Sequence, residues 1–362
     1  MGPTGDDIRD IQLHPSLRCN LRCAHCYSSS SPDSTPALSV ESIEQMLAEA
    51  AEEDFNAVSV SGGEPLIYPA LPQLLQSATA MGFSATVTTN GIPLNARRVD
   101  AIAPFVSLIA ISLDGAPASH DKMRGMVGAF DRMRERLPLL RDAGIPFGFI
   151  FTLTLHNLHE LAEVADFAVA EGACLLQVHP LEAAGRARES GLHPPDDLEL
   201  SYAFLEVARL QRQFRDQITL QYDVADRSLV EREPCLAFLI DTPAPELVAE
   251  MPLAHLIPSL VLQEDGWIVP LQHGFSSHYA VGRLGDGKFR DSAARWKQDM
   301  LPDFLALARK TWDEIGVSPA HLPYTNWYAA ISGLSHEALA PPTAPAAGRP
   351  NQVSPASRNL VC

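Results

Sequence analysis

Residues 19–27 read CNLRCAHCY, and their spacing governs how the rest of the chain is read. Cys19, Cys23 and Cys26 form a C-x3-C-x2-C run on one short segment. A closed structural zinc site takes four ligands, and no fourth Cys or His stands at a spacing that completes one. An iron–sulfur cube takes one ligand per iron. Three thiolates on a cube would leave one iron open to bind and activate a small molecule. The triplet therefore points to chemistry rather than to a structural clip. His25, inside it, reads as a loop residue.

Outward from this segment, strand-like and helix-like stretches alternate. Residues 39–53 place Val40, Ile43, Met46, Leu47 and Ala50 on one helical face, with Ser39 as N-cap. The run 57–61 (AVSVS) is the next strand, followed by 85–89, 106–113, 147–155 and 175–178. Helices are expected near 71–80, 131–143 and 158–171, and Pro138 predicts a break or kink in the second of these. Strand-then-helix repeated about six times predicts an α/β fold with a parallel sheet and helices outside. Several strand ends are polar or glycine-rich: 61–64, 88–91, 112–115, 154–157 and 179–180. Parallel sheets and barrels carry their sites at such ends, so these residues should converge on one mouth.

Residues 198–213 form a further helix candidate. After about residue 230 the rhythm changes. The run 259–270 (SLVLQEDGWIVP) predicts a hairpin turning at Asp265-Gly266, a second turn follows at 284–287, and 304–315 reads as helical. From Pro341 onward, Pro, Ala and Ser dominate and disorder is expected. The six-residue run GRLGDG at 282–287 follows no βαβ unit, which argues against a nucleotide loop.

The length of 362 residues suits one large domain, or one large and one small. The absence of a long apolar run predicts no membrane span, and residues 1–10 do not read as a signal peptide. Acids exceed bases by 44 to 27, a net charge of −17. That argues against nucleic-acid backbones as partners and tolerates a cationic substrate. Of the six cysteines, Cys174, Cys235 and Cys362 stand apart. A chain of this kind is not expected to rest on a disulfide framework, and a reducing cytoplasm is the expected setting. Cys174 reads as a core residue.

The cysteine triplet, Gly62-Gly63-Glu64-Pro65 and Ser112-Leu113-Asp114-Gly115 occur in this order at strand ends. Together they resemble the radical S-adenosylmethionine (SAM) superfamily over roughly residues 10–225, and Tyr27 directly after the last cysteine fits the same pattern. The resemblance implies a partial (β/α)6 TIM-like barrel over residues 1–228. It implies that Cys19, Cys23 and Cys26 hold three irons of a [4Fe–4S] cluster and that SAM chelates the fourth. By the same resemblance Gly62 and Gly63 admit the methionyl part of SAM and Glu64 lies near its ammonium. Pro65 fixes the turn. Ser112 and Asp114 contact ribose and carboxylate, and Arg124, in His120-Asp121-Lys122-Met123-Arg124, pairs with the SAM carboxylate. Thr154, Asn157 and the stretch from Pro180 to Gly185 and Arg186 match more loosely, as adenosine-positioning groups. The implied activity is reductive cleavage of SAM to a 5′-deoxyadenosyl radical that abstracts a substrate hydrogen, with electrons from a flavodoxin or ferredoxin.

Residues 229–340 resemble, more distantly, a small α+β SPASM/twitch-like domain. Leu271 stands where that pattern has Cys, so a version without auxiliary clusters is implied, followed by a disordered tail at 341–362. Cys235, in Glu233-Pro234-Cys235, has two readings: a leftover thiol, or a hydrogen-atom donor to a substrate radical. The SPASM-like extension implies modification of a ribosomal peptide. The alternative is a small-molecule epimerase, dehydrogenase or dehydratase in sugar, nucleoside or cofactor biosynthesis. A non-catalytic zinc-binding protein is the reading from a different class.

Overall fold

The computed structural model describes residues 8–35, 37–238, 245–316 and 323–337. The strands in chain order are β1 (Asp10–Leu13), β2 (Ala57–Val60), β3 (Ser84–Thr89), β4 (Leu108–Ser112), β5 (Phe147–Leu153), β6 (Leu175–Pro180), β7 (Thr219–Tyr222), β8 (Ala225–Asp226), β9 (Ser259–Leu262), β10 (Trp267–Pro270), β11 (Gly282–Arg283) and β12 (Tyr324–Thr325). Ten of them make one sheet, in the order β11-β10-β9-β1-β2-β3-β4-β5-β6-β7. From β9 through β7 every neighbouring pair is parallel, while β10 and β11 are antiparallel additions.

The two faces of this sheet differ in chemistry. Val58, Val60, Ala85, Val87, Ile109, Ile111, Phe149, Phe151, Leu176 and Val178 are buried in the main core. Their alternates, Ser59, Thr86, Thr152, Gln177 and His179, are only half-buried. The period of two thus puts an apolar surface under the helices and a polar one inside the curve of the strands. Thr86 donates to Ser59 across the inner face at 3.0 Å.

The connecting helices follow the sequence pattern closely. The first, α1 (Val40–Glu52), buries Val40, Ile43, Met46, Leu47 and Ala50, and Ser39 caps it by accepting from Ser42 N. Such a cap is worth about 1 kcal/mol. Next come α2 (Leu71–Ala80), α3 (Ala96–Ile102) and α4 (Pro117–Arg124). The break expected at Pro138 is real: α5 (Ala129–Arg134) stops, and α6 (Leu137–Asp142) restarts with the proline in its first turn, where a missing N–H costs nothing. Then α7 (Leu161–Ala170) precedes α8 (Asp197–Phe214), which opens on a capping box of Asp196 and Glu199. Among the described residues no helix is long and apolar enough to cross a membrane.

Three sequence expectations change. Three strands of the sheet, β1, β7 and β11, lie in stretches not read as strands. The hairpin at 259–270 forms as expected, but β9 pairs in parallel with β1, Asp10 opposite Ser259. Strands β9, β10 and β11 therefore extend the main sheet, while β12 pairs with β8 in a separate two-stranded sheet. Cys174 is exposed rather than core, its thiol donating to Phe147 O at 3.3 Å. The tail expected at 341–362, with Cys362, lies outside the described residues.

Candidate active site

The cysteine loop leaves the C-terminal end of β1, and loops from three other strand ends grip its backbone. After β2, Gly63 N donates to Ser16 O at 2.8 Å and Glu64 N to Arg18 O at 2.9 Å. At the end of α4, Met123 O accepts from Ala24 N at 2.8 Å. After β6, Arg186 donates from its main chain to Cys26 O and from its guanidinium to Cys23 O at 2.7 Å and Ser30 O at 2.8 Å. The glycines are required by this embrace. A Cβ on Gly63 would lie 2.2 Å from Arg18 O, and one on Gly185, whose φ is +52°, would lie 2.0 Å from Tyr27 O. Gly62 and Gly63 thus make room for the cysteine loop itself.

The thiols are gathered in one pocket. Cys19 and Cys23 are buried with Leu21, and Cys26, Ile92 and Met126 pack against them. Cys19 Sγ accepts from Leu21 N at 3.4 Å, Cys26 Sγ from Ser30 N at 3.3 Å, and Cys23 Sγ faces Arg124 Nη1 at 3.8 Å. N–H groups aimed at sulfur stabilise thiolates bound to metal. Burial pushes the Cys19 thiol up to about 12 and raises Cys23 as well. Such groups give up their protons when a metal takes their place. Three soft donors, backbone N–H groups on two of the sulfurs and burial of Cys19 and Cys23 together fit an iron–sulfur cluster.

Behind the thiols lies a buried ion pair. Asp114 is fully buried, and its Oδ2 is 2.7 Å from Arg124 Nε and 3.7 Å from His25 Nε2. Burial would raise the Asp114 carboxyl, but Arg124, His25 and His120 hold it below its usual range. Burial first, with Arg124 beside it, lowers His120 to about 4, and its Nδ1 accepts from Asp114 N. Arg124 thus pairs with Asp114 through Nε and faces Cys23 Sγ through Nη1. His25, read as a plain loop residue, belongs to this cluster.

Glu64 is also turned inward. Its carboxylate accepts from Leu66 N at 3.1 Å, Thr89 Oγ1 at 2.7 Å and Asn90 N at 2.9 Å, joining the β2 and β3 ends. Pro65 begins the short turn that Glu64 caps, as expected. Asn157 accepts from Thr154 and donates to Asp114 O and Thr152 O, so it fastens the β4 and β5 ends together. Ser112 stands half-buried at the end of β4. Tyr27 puts its hydroxyl 3.4 Å from His14 Nε2. Cys235 lies in the short turn Pro234–Ala237.

Deeper in the mouth, His179 Nδ1 is 3.0 Å from Asp223 Oδ2 and its Nε2 is 3.2 Å from Glu182 Oε1. Gln177 donates to the same Asp223 oxygen at 2.6 Å. Burial alone would lower the imidazole, but the two carboxylates overcome it and push it up to about 10. A group raised above its unfolded value, near 6.5, stabilises fully below that pH and loses its contribution as pH rises through 10. The difference in urea midpoint between wild type and His179→Gln is therefore expected to be largest near pH 6 and to shrink toward pH 10. A difference independent of pH would show that the imidazolium is not the stabilising form.

Residues 13–168 match the model of the Radical SAM superfamily. The AdoMet-dependent heme synthase of Methanosarcina barkeri is 35% identical over 185 residues, 50% of this chain and 53% of that protein. The mycofactocin maturase MftC of Mycobacterium tuberculosis is 32% identical over 190 residues, 50% of this chain and 47% of its own. The chain thus spans about half the length of these curated relatives. Among solved structures, Streptococcus suis SuiB bound to its precursor peptide SuiA superposes with a TM-score of 0.61 at 18% identity, covering 81% of this chain and 65% of SuiB, a likeness of fold.

Proposed function

Because residues 13–168 belong to the radical SAM superfamily, we propose that this chain carries a [4Fe–4S] cluster on Cys19, Cys23 and Cys26 and takes a hydrogen atom from a peptide substrate. When bound, the cluster and SAM supply one electron and the carbon radical it releases. The chain's own residues hold, orient and shield. Leu21, Ser30 and Arg124 direct N–H groups at the sulfurs. Arg186, Gly63 and Glu64 fix the loop that bears them. Ser112, half-buried at the end of β4, is read as a SAM contact. A reduced flavodoxin or ferredoxin serves as electron donor. Residues 229–340 are read as a SPASM/twitch-like extension without auxiliary clusters, a reading supported by the hairpin of β9 and β10.

The observation that carries the peptide reading is the charge of the mouth. Among the described residues, its buried and half-buried cations are spoken for: Arg124 by Asp114, Arg186 by backbone carbonyls, His179 by Asp223 and Glu182. A substrate rich in carboxylates needs free cations to replace its lost hydration, whereas the neutral and cationic groups of a peptide do not. Sequence likeness to a heme synthase favours a second reading, a small-molecule enzyme of cofactor biosynthesis. Anaerobically reconstituted protein with dithionite and SAM separates the two by its release of 5′-deoxyadenosine. A peptide encoded beside the gene is expected to raise the release about tenfold. Stimulation by an iron porphyrin carboxylate, with no response to the peptide, would overturn the peptide reading.

A further inference from the structure

A second cluster of metal-binding side chains lies beside the cysteine loop. β1 and β9 run parallel and adjacent, so residues just past their ends share the mouth. His14 follows β1 and Glu264 follows β9, while His273 comes from the turn after β10. One potential ligand atom from each lies within 4.8 Å of the other two. His273 Nε2 is already 3.0 Å from Glu264 Oε2. The His273 ring stacks on His14, with centroids 4.7 Å apart and planes 15° from parallel.

His14 is the informative member. It is completely buried. The Tyr27 hydroxyl occupies its Nε2, and its Nδ1 has no hydrogen-bond partner. A buried polar nitrogen left unsatisfied costs about 1–3 kcal/mol. The ring that carries this atom stacks on a second imidazole and shares its cluster with a carboxylate, and a metal ion is a partner that accepts its lone pair.

We propose that His14, Glu264 and His273 form a site for a divalent metal of the zinc class, with His14 Nδ1 as one ligand atom. Two imidazoles and a carboxylate are a zinc donor set, and three protein ligands leave a fourth position for water or a substrate oxygen. Metal-bound imidazoles use their second nitrogen to hold the ring in place, and the Tyr27 hydroxyl does this for His14. With bonds of about 2.0–2.1 Å, tetrahedral zinc sets its ligand atoms roughly 3.3 Å apart. The carboxylate–His273 pair is already near that spacing. The rest of the closure is a swing of the His273 ring off the stack, and both His273 and Glu264 are half-buried rather than locked in the core. His14 precedes Cys19 by only five residues. A substrate carbonyl or carboxylate held on this metal would therefore sit beside the radical chemistry, with the metal supplying the positive charge that the paired arginines do not.

The test uses the holoenzyme, with its cysteines occupied by iron, incubated with zinc alone and then desalted. About one zinc per chain is expected beside about four irons. Its X-ray absorption edge should show nitrogen and oxygen neighbours with imidazole scattering and no sulfur. Glu264→Gln and His273→Ala should each weaken zinc at least tenfold with iron content and melting temperature unchanged, and Tyr27→Phe about tenfold. No zinc uptake, sulfur around the zinc, or uptake unaltered in both ligand variants would overturn the site. None of these readouts depends on turnover or on the substrate.

Discussion

Thermal unfolding of a Gly63→Ala variant is expected roughly 10 °C below that of the parent. An added Cβ would lie 2.2 Å from Arg18 O, 2.6 Å from Arg18 C and 2.7 Å from Leu17 C. All three are main-chain atoms, so no side chain can swing aside. The β2 end must retreat, which breaks the bonds from Gly63 N to Ser16 O and from Glu64 N to Arg18 O. Two lost hydrogen bonds at about 1–3 kcal/mol each put the cost near 3–5 kcal/mol. Gly185→Ala meets the same obstacle at Tyr27 O. Gly172→Ala is the control: its φ is +77°, but open space surrounds it, so only the backbone penalty of about 1 kcal/mol applies. Equal melting temperatures for the Gly63 and Gly172 variants would refute the clamp. Iron uptake should fall in the Gly63 and Gly185 variants and not in the control.

Arg124→Met is the second large effect. It leaves the Asp114 carboxylate completely buried, with His25 at 3.7 Å in place of a fixed cation. Removing one partner of a buried pair costs about 3–5 kcal/mol, most of it the uncompensated charge. The double variant Asp114→Asn with Arg124→Met removes both charges and is expected to recover much of that loss. Urea unfolding of the two singles and the double gives the coupling directly. Additive losses would mean that the pair at 2.7 Å contributes nothing of its own. The same guanidinium faces Cys23 Sγ, so Arg124→Met should also change the reduction potential of a bound cluster, an effect a purely structural pair would not produce.

Much of this architecture is legible in the amino-acid order, for identifiable reasons. Strands β2 to β6 are long enough, or β-branched enough, to show a period of two, and α1 and α8 carry both an apolar stripe and a capping residue. The cysteine loop announces itself by spacing. By contrast β1 and β7 have four residues each, too few to establish a period, and β1 acquires its identity from its two parallel neighbours. The residue types around the triplet are legible in the sequence, but the protein groups that each side chain contacts are not. Glu64, Arg124 and Asn157 satisfy one another's loops, and those bonds join residues 25 to 43 positions apart or more. His273 carries no local signal at all. It joins His14 only because the hairpin docks against the first strand.

That docking has a consequence for how the protein comes into being. The first strand finds its outer partner roughly 250 residues further along the chain, a separation of the kind that slows folding. On the ribosome one edge of that strand waits through most of synthesis, and so does the segment that must receive iron. Maturation of the cofactor should therefore be a late event, and any truncation that removes the closing hairpin would leave an otherwise intact set of thiols without a finished home.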